Sequence, residues 1–206
     1  MSPRIFDTHC HIADPAFDED RGEVIARMRE AGVCRANVVA DPCEETPNQE
    51  KVDGIVRGGD GLLHIFVTTT DNVLSRGCLV HLTSADGEHF TEQGNIYTAP
   101  EGEDEPECSD YIAYRGRYYL IFSHHGKGQY RVSDKPFSDW KTPDDPLIPC
   151  SSVPKCAVWN DRILFTGFRS EGGYAGTLTF MEAKVKEDGT FTFMKVPETE
   201  AYNTKT

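Results

Sequence analysis

The chain has 206 residues, with 34 acidic against 21 basic side chains and a net charge of −13. This length suits one or two domains with a real core, and a hydrophobic content of 38% argues against disorder throughout. The acidity disfavours a broad surface for nucleic acids or anionic membranes, because both depend on clustered Lys and Arg. No apolar run approaches the ~20 residues that cross a bilayer, and no signal-peptide core follows the N-terminus. We therefore expect a cytoplasmic protein that makes no membrane contact.

The seven cysteines are odd in number and scattered along the chain, and no two stand in a C-x-x-C arrangement. Zinc ribbons and redox motifs need such pairs, so the sequence predicts neither. Reduced and mostly buried thiols are the expectation, which agrees with a cytoplasmic chain.

Residues 1–52 have the pattern of a single βαβ unit. Residues 4–9 predict a short strand, and a helix begins at Phe17–Asp18, with Asp18 as its N-cap and Gly32 as its C′ residue. A second strand follows over residues 33–40. Units of this kind build parallel sheets or barrels.

Two histidines, His9 and His11, stand where the first predicted strand meets a loop. Alternate residues of a strand share a face, so both rings can point at one cation. Imidazole suits divalent transition metals, and a bound metal can activate water near neutral pH. The alternative interpretation is two exposed histidines at the end of a strand.

The stretch Ile5-Phe6-Asp7-Thr8-His9-Cys10-His11, together with residues 17–21 and 28–33, resembles the opening of TatD-type metal-dependent deoxyribonucleases. These enzymes are amidohydrolase-like TIM barrels. The resemblance covers residues 1–52 and implies that His9 and His11 are ligands of a divalent metal. A TatD-like metal-dependent hydrolase is therefore one alternative function. A barrel of this kind needs about 250 residues, and the family's later ligands have no matching motifs in this chain.

After residue 52 helical periodicity is absent, and short apolar strands alternate with turn pairs such as Asp60-Gly61 and Asp188-Gly189. Strands are predicted over residues 62–69, 78–83, 111–114, 118–123, 129–133, 156–159, 163–168, 177–183 and 191–196. This pattern is typical of antiparallel hairpins in a sandwich, a barrel or propeller blades. The predicted domains are residues 1–52 and 53–206, with a boundary that rests on pattern alone.

Acidic residues stand before predicted strands at Asp53, Glu107 and Asp110. Cleavage of a glycosidic bond needs one carboxyl group that protonates the leaving oxygen and a second that attacks carbon or activates water. Carboxylates on the inner strands of a propeller meet this need. The alternative is that these residues are turns and caps of an acidic protein.

Pro106-Glu107-Cys108-Ser109-Asp110-Tyr111 and residues 114–123 resemble the E-C-P-D blade of five-bladed β-propeller glycosidases. Glycoside hydrolase family 32, the β-fructosidase group, is the best match, with family 43 as a structural relative. The resemblance spans residues 53–196 and implies a mainly β fold, an incomplete propeller of two to three blades. It implies that Glu107 is the general acid/base and that Asp53, in a degenerate R-D-P motif, stabilises the transition state. Ser109 and Gly54 stand where proline is usual, and no cofactor is implied.

The implied function is a glycoside-hydrolase-like protein that acts on or binds carbohydrate. The nucleophilic aspartate of family 32 belongs to an N-D-P-N-G-like motif, and the only upstream Asp-Pro pairs, Asp14-Pro15 and Asp41-Pro42, lack that setting. The sequence thus predicts an incomplete site for double displacement. A further alternative is a non-catalytic carbohydrate-binding or interaction fragment, in which unpaired sheet edges give a route to oligomers.

Overall fold

A computed structural model describes residues 5–10, 12, 15–38, 51–71, 73–173 and 176–197. The chain divides into two compact units, residues 1–52 and residues 53–206. The described residues form fourteen strands, one α-helix and one short 3-10 helix. The protein is therefore mainly β.

The first unit contains β1 (Ile5–Cys10), α1 (Arg21–Glu30) and β2 (Val33–Val38). β1 and β2 pair in parallel. A 3-10 helix, Pro15–Phe17, and a turn over residues 18–20 precede α1.

The helix thus begins later than predicted. Asp20 rather than Asp18 occupies the N-cap position, because the carboxylate of Asp18 accepts a hydrogen bond from the Arg21 side chain within the preceding turn. Gly32 follows the C-cap residue Ala31 with a φ of 94°. This is the left-handed conformation expected of a C′ glycine.

The second unit consists of three four-stranded sheets, each with its strands in chain order. Sheet I contains β3 (Lys51–Arg57), β4 (Leu63–Asp71), β5 (Arg76–Ser84) and β6 (Thr91–Thr98). Sheet II contains β7 (Glu107–Tyr114), β8 (Arg117–His124), β9 (Lys127–Ser133) and β10 (Leu147–Ile148). Sheet III contains β11 (Ser152–Trp159), β12 (Arg162–Ser170), β13 (Gly176–Val185) and β14 (Phe191–Lys195). Three such antiparallel sheets are consistent with a partial β-propeller.

Sheet II has apolar neighbours on both faces, which explains the continuous apolar sequence of β8. Tyr119 and Ile121 belong to the cluster that sheet II shares with sheet III. The intervening residues, Leu120 and Phe122, pack with residues of sheet I. All four side chains are fully buried. Strict alternation between two apolar neighbours fixes the register of this strand, since a shift by one residue would exchange its faces.

Two strands begin four residues earlier than the sequence predicts. β7 begins at Glu107 and β11 at Ser152, so Glu107 and Asp110 lie within a strand instead of before one. Asp53 likewise lies within β3. The polar strand β6 and the two-residue strand β10 are additions to the predicted set.

No helix in the described part of the chain is long and apolar enough to cross a membrane. The six cysteines described there are free thiols. Cys78 is buried and Cys34 is exposed, while the other four are half-buried, so burial of the thiols is less complete than expected.

Candidate functional site

The first strands of sheets II and III begin with the same irregularity. In β7, Glu107 pairs with Ser123 and Asp110 with Ile121, so three steps along β7 match two along β8. In β11, Ser152 pairs with Phe168 and, after the same irregular step, Lys155 pairs with Thr166. Each strand therefore has a β-bulge with one extra residue. Glu107 and Ser152 hold equivalent positions in neighbouring sheets.

The backbone of both bulges adopts an unusual conformation. Cys108 has a φ of 55° and Val153 a φ of 52°, and non-glycine residues with such values lie in a sparsely populated region. Strain of this kind persists only where the surroundings impose it, and it is common at functional sites.

Neighbouring sheets on both sides hold the bulge of β7. From sheet III, the Nζ of Lys155 donates to the carbonyl oxygen of Ser109 at 2.8 Å, and the amide of Cys156 donates to the Asp110 carboxylate at 2.8 Å. Toward sheet I, the Ser109 hydroxyl donates to the carbonyl oxygen of Phe66 at 3.0 Å. Asp110 thus joins two sheets, and these bonds fix the backbone beside Glu107.

Glu107 is half-buried and lines a cavity of about 510 Å³ in the second unit. The walls are mostly polar and include Ser123, Ser152, His125 and Glu105. The Ser152 hydroxyl donates to the Ser123 hydroxyl, and that hydroxyl donates to the main-chain carbonyl oxygen of Glu107, each at 3.3 Å. Hydroxyl and carboxylate groups on one wall suit a ligand that is itself rich in hydroxyl groups.

A buried histidine anchors the polar loop that precedes Glu107. The ring of His124 is 4% exposed, and its Nε2 lies 2.9 Å from the carbonyl oxygen of Asp104. A carbonyl only accepts, so the Nε2 carries the proton. In the neutral ring the Nδ1 then accepts from the Tyr97 hydroxyl at 3.0 Å. His124 and Asp104 both line the cavity, so this pair helps to shape it.

Of the four residues predicted for the sites, Glu107 alone has a described side chain. Asp53 lies in β3 and His9 in β1, but their side chains are outside the described part of the structure, as is the whole of His11. Within the described residues no group of three or more His, Cys, Asp or Glu side chains could hold a metal ion. The catalytic role of Asp53 and the metal site at His9 and His11 stay predictions.

Sequence reasoning did not find Ser123, Ser152, His124 or His125. Ser152 reaches the cavity because it occupies the position in β11 that Glu107 occupies in β7, and only the stacking of the sheets shows that equivalence. No sequence signal marks this equivalence, because residues 106–110 (Pro-Glu-Cys-Ser-Asp) and 151–155 (Ser-Ser-Val-Pro-Lys) have no residue in common when aligned. The aromatic residues Tyr119 and Phe122 are fully buried and serve the core instead of stacking on a ligand.

Comparison with solved structures supports a β-propeller-type fold, and the similar structures are glycosidases. A variant of fructan 1-exohydrolase IIa from Cichorium intybus, in complex with 1-kestose, is 15% identical with a TM-score of 0.56, over 79% of this chain and 37% of that chain. The β-xylosidase RS223 is 16% identical with a TM-score of 0.50, and the match covers 73% of this chain and 60% of that chain. The family 43 α-L-arabinofuranosidase of Clostridium thermocellum is 12% identical with a TM-score of 0.49, and the match covers 74% of this chain and 55% of that chain.

The chain spans between 37% and 60% of the length of these three structures. At such identities the likeness shows the fold alone. No protein-family profile matches the sequence, and no curated protein is similar to it.

Proposed function

We propose that this chain is a glycoside-hydrolase-like protein whose second unit binds carbohydrate in the Glu107 cavity. The observation that carries the proposal is the position of Glu107, which begins the first strand of sheet II and lines a polar cavity of about 510 Å³. In this role Glu107 is the general acid/base, and Asp53 stabilises the transition state. A fructosidase-type substrate follows from the sequence resemblance.

The structure around Glu107 supports this role in two ways. The bulge is held by hydrogen bonds from sheets I and III, so the carboxylate needs little reorganisation when a ligand binds. The cavity walls offer hydroxyl and imidazole groups, from Ser152 and His125 for example, that can bond sugar hydroxyls. The proposed acid–base chemistry is supplied by carboxyl groups.

The test is binding and hydrolysis of fructosides, xylosides and aryl glycosides by the whole chain and by Glu107→Gln. If the wild type hydrolyses a glycoside, we expect the substitution to reduce kcat by 10²–10⁴-fold, since one general acid contributes about that much. Binding of the same glycoside should change by only a few-fold.

Glu101→Gln is the matched control, because Glu101 is an exposed carboxylate of the same loop that does not line the cavity. This substitution should leave hydrolysis nearly unchanged. Hydrolysis that survives Glu107→Gln would remove the catalytic assignment. Absence of binding to every glycoside would contradict the function itself.

A further inference from the structure

A second concave surface of this acidic protein has three basic side chains in its walls. A cavity of about 640 Å³ has Lys127, Arg169 and Lys186 in its walls, with Asp145 as its one lining carboxylate. The whole chain carries a net charge of −13. The net charge of this cavity's lining is positive instead, because three cations surround one carboxylate. The carboxylate of Asp145 also accepts from the amide of Leu147 in its own turn, at 3.4 Å.

Within the described residues none of the three cations of this cavity is held in an ion pair, although Lys186 also interacts electrostatically with Asp188. All three side chains are exposed. By contrast, Arg115, Lys135 and Lys141 each lie within ion-pair distance of an aspartate. Positive charge outside ion pairs, in an acidic protein, favours an anionic ligand.

The floor of the same surface is apolar. Phe191 and Ile148 are buried beneath the cavity, and Phe193 is half-buried. A neighbouring cavity of about 350 Å³ shares Arg169, Phe193 and Pro149 with it and adds Phe180, which is 43% exposed. We call the two cavities together the cationic groove; its lining holds four basic residues, Lys127, Arg169, Lys186 and Lys195, against two acidic ones, Asp145 and Glu171. Apolar rings beneath charged groups suit a ligand with flat apolar faces and anionic substituents.

The cationic groove adjoins the Glu107 cavity. Gly126 and Ser152 line the Glu107 cavity. Lys127, which follows Gly126, and Ser151, which precedes Ser152, line the groove. The two concavities therefore lie on either side of the same short segments of the second unit.

We propose that the cationic groove binds acidic sugar units, so that the ligand of the Glu107 cavity is an anionic oligosaccharide bearing carboxylates. This inference rests on the proposed function. Lys127, Arg169 and Lys186 supply the charge that selects acidic over neutral sugars, and the apolar floor supplies contact with the sugar faces.

The experiment measures binding of trigalacturonic acid, a carboxylated trisaccharide, and of maltotriose, a neutral trisaccharide of the same length, by calorimetry at low and high salt. We expect the acidic trisaccharide to bind more tightly, and its affinity to fall with salt because exposed charges are screened. The triple substitution Lys127→Gln/Arg169→Gln/Lys186→Gln should weaken this affinity by about tenfold, since it removes three exposed charge pairs that each contribute little. Binding of maltotriose should not change.

The double variant Lys135→Gln/Lys141→Gln is the charge control, since it also removes cations but lies outside the groove. It should bind trigalacturonic acid like the wild type.

Equal affinity for both trisaccharides would overturn the inference while leaving the proposed function intact. Equal affinity for a glutamate tripeptide would overturn the assignment to carbohydrate. Selective binding of the acidic trisaccharide that depends on the groove, with no effect of Glu107→Gln on any hydrolysis, would support the groove and contradict the catalytic role.

Discussion

Asp60, His64 and His81 form a hydrogen-bonded row in the second unit, outside the Glu107 cavity. The Nε2 of His64 lies 3.2 Å from both carboxylate oxygens of Asp60, and its Nδ1 lies 2.9 Å from the Nε2 of His81. An ionised carboxylate only accepts, so the Nε2 of His64 donates to Asp60. Both rings are buried, at 3% and 7% exposure. The row therefore joins an exposed carboxylate to two buried imidazoles.

Few charged groups act on the far end of this row. Sheet II and its loops present rings: Phe137 stacks on His64 with centroids 3.5 Å apart, and Tyr111 stacks on Phe137. The charges that reach His81 are those of His64 and Asp60. Burial, and secondarily the neighbouring His64, lower the pKa of His81 from its ordinary value of 6.5 to about 4.

The lowered pKa of His81 makes stability depend on pH. The unfolded chain takes up this proton near pH 6.5, whereas the folded chain resists it until about pH 4, so acid favours unfolding. Stability from this residue is full above pH 6.5 and is lost as the pH falls toward 4, on the order of 3 kcal/mol in total. Urea unfolding at a series of pH values measures this loss.

His81→Gln keeps a hydrogen-bonding side chain beside His64 and removes the titrating group, so we expect it to flatten the decline of stability between pH 6.5 and 4. His89→Gln is the control, because His89 is an exposed histidine paired with Asp86 and should keep the wild-type decline. An identical decline in His81→Gln would show that other groups cause it.

At the scale of the elements, one thiol fills the space between sheets II and III. A Cβ atom added to Gly128 would lie 2.7 Å from the Sγ of Cys150, and one added to Gly167 would lie 2.8 Å from the same sulfur. Burial raises the pKa of the Cys150 thiol to about 11, which keeps it protonated and poorly reactive. Two glycines from two sheets thus enclose this sulfur.

Gly128→Ala should destabilise the fold by about 1–3 kcal/mol, because it overpacks a close contact. Cys150→Ala removes the sulfur, so the double variant Gly128→Ala/Cys150→Ala should recover much of that loss. Gly167→Ala should not be rescued, since its added Cβ would also lie 2.9 Å from the Cβ of Cys150, which alanine retains.

Thermal or urea unfolding of these variants gives the free energies, and Gly59→Ala is the control because nothing lies within 4 Å of its added Cβ. Rescue of both glycine variants, or of neither, would contradict this account of the contact.

The same scale shows which parts of the fold could be predicted. β8 was predictable because its apolar run is buried against neighbours on both faces. β6 was not predictable from the sequence, because Thr91–Thr98 is mostly polar and none of its residues is fully buried. Its Gly94 also has a φ of 121°. Its conformation depends on the ladder that β5 offers, and tertiary pairing of this kind overrides local propensity.

The candidate site was predictable only in part, for the same reason. Glu107 was found from a motif resemblance, since the residues around it are contiguous in the chain. Ser152 and Lys155 reach the site because sheet III stacks beside sheet II, and their contacts span 29 and 46 residues of sequence. Short-range patterns carry no information about such pairs.

At the scale of the whole molecule, the two units differ in how much they bury. No described side chain of α1 in the first unit is buried, whereas β8 in the second is buried along most of its length. Local opening costs least where few apolar contacts are lost. The two units should therefore differ in local stability as well as in fold.

Native-state hydrogen exchange tests this difference. We expect the amides of α1 to exchange by low-energy opening that responds weakly to urea, and those of β8 to exchange only through global unfolding. β6 provides an internal control, because it is an exposed strand of the second unit: its paired amides should be protected less than those of β8, although both lie in the same unit. Equal opening free energies in α1 and β8 would mean that the chain unfolds as one cooperative body, despite its division into two compact units.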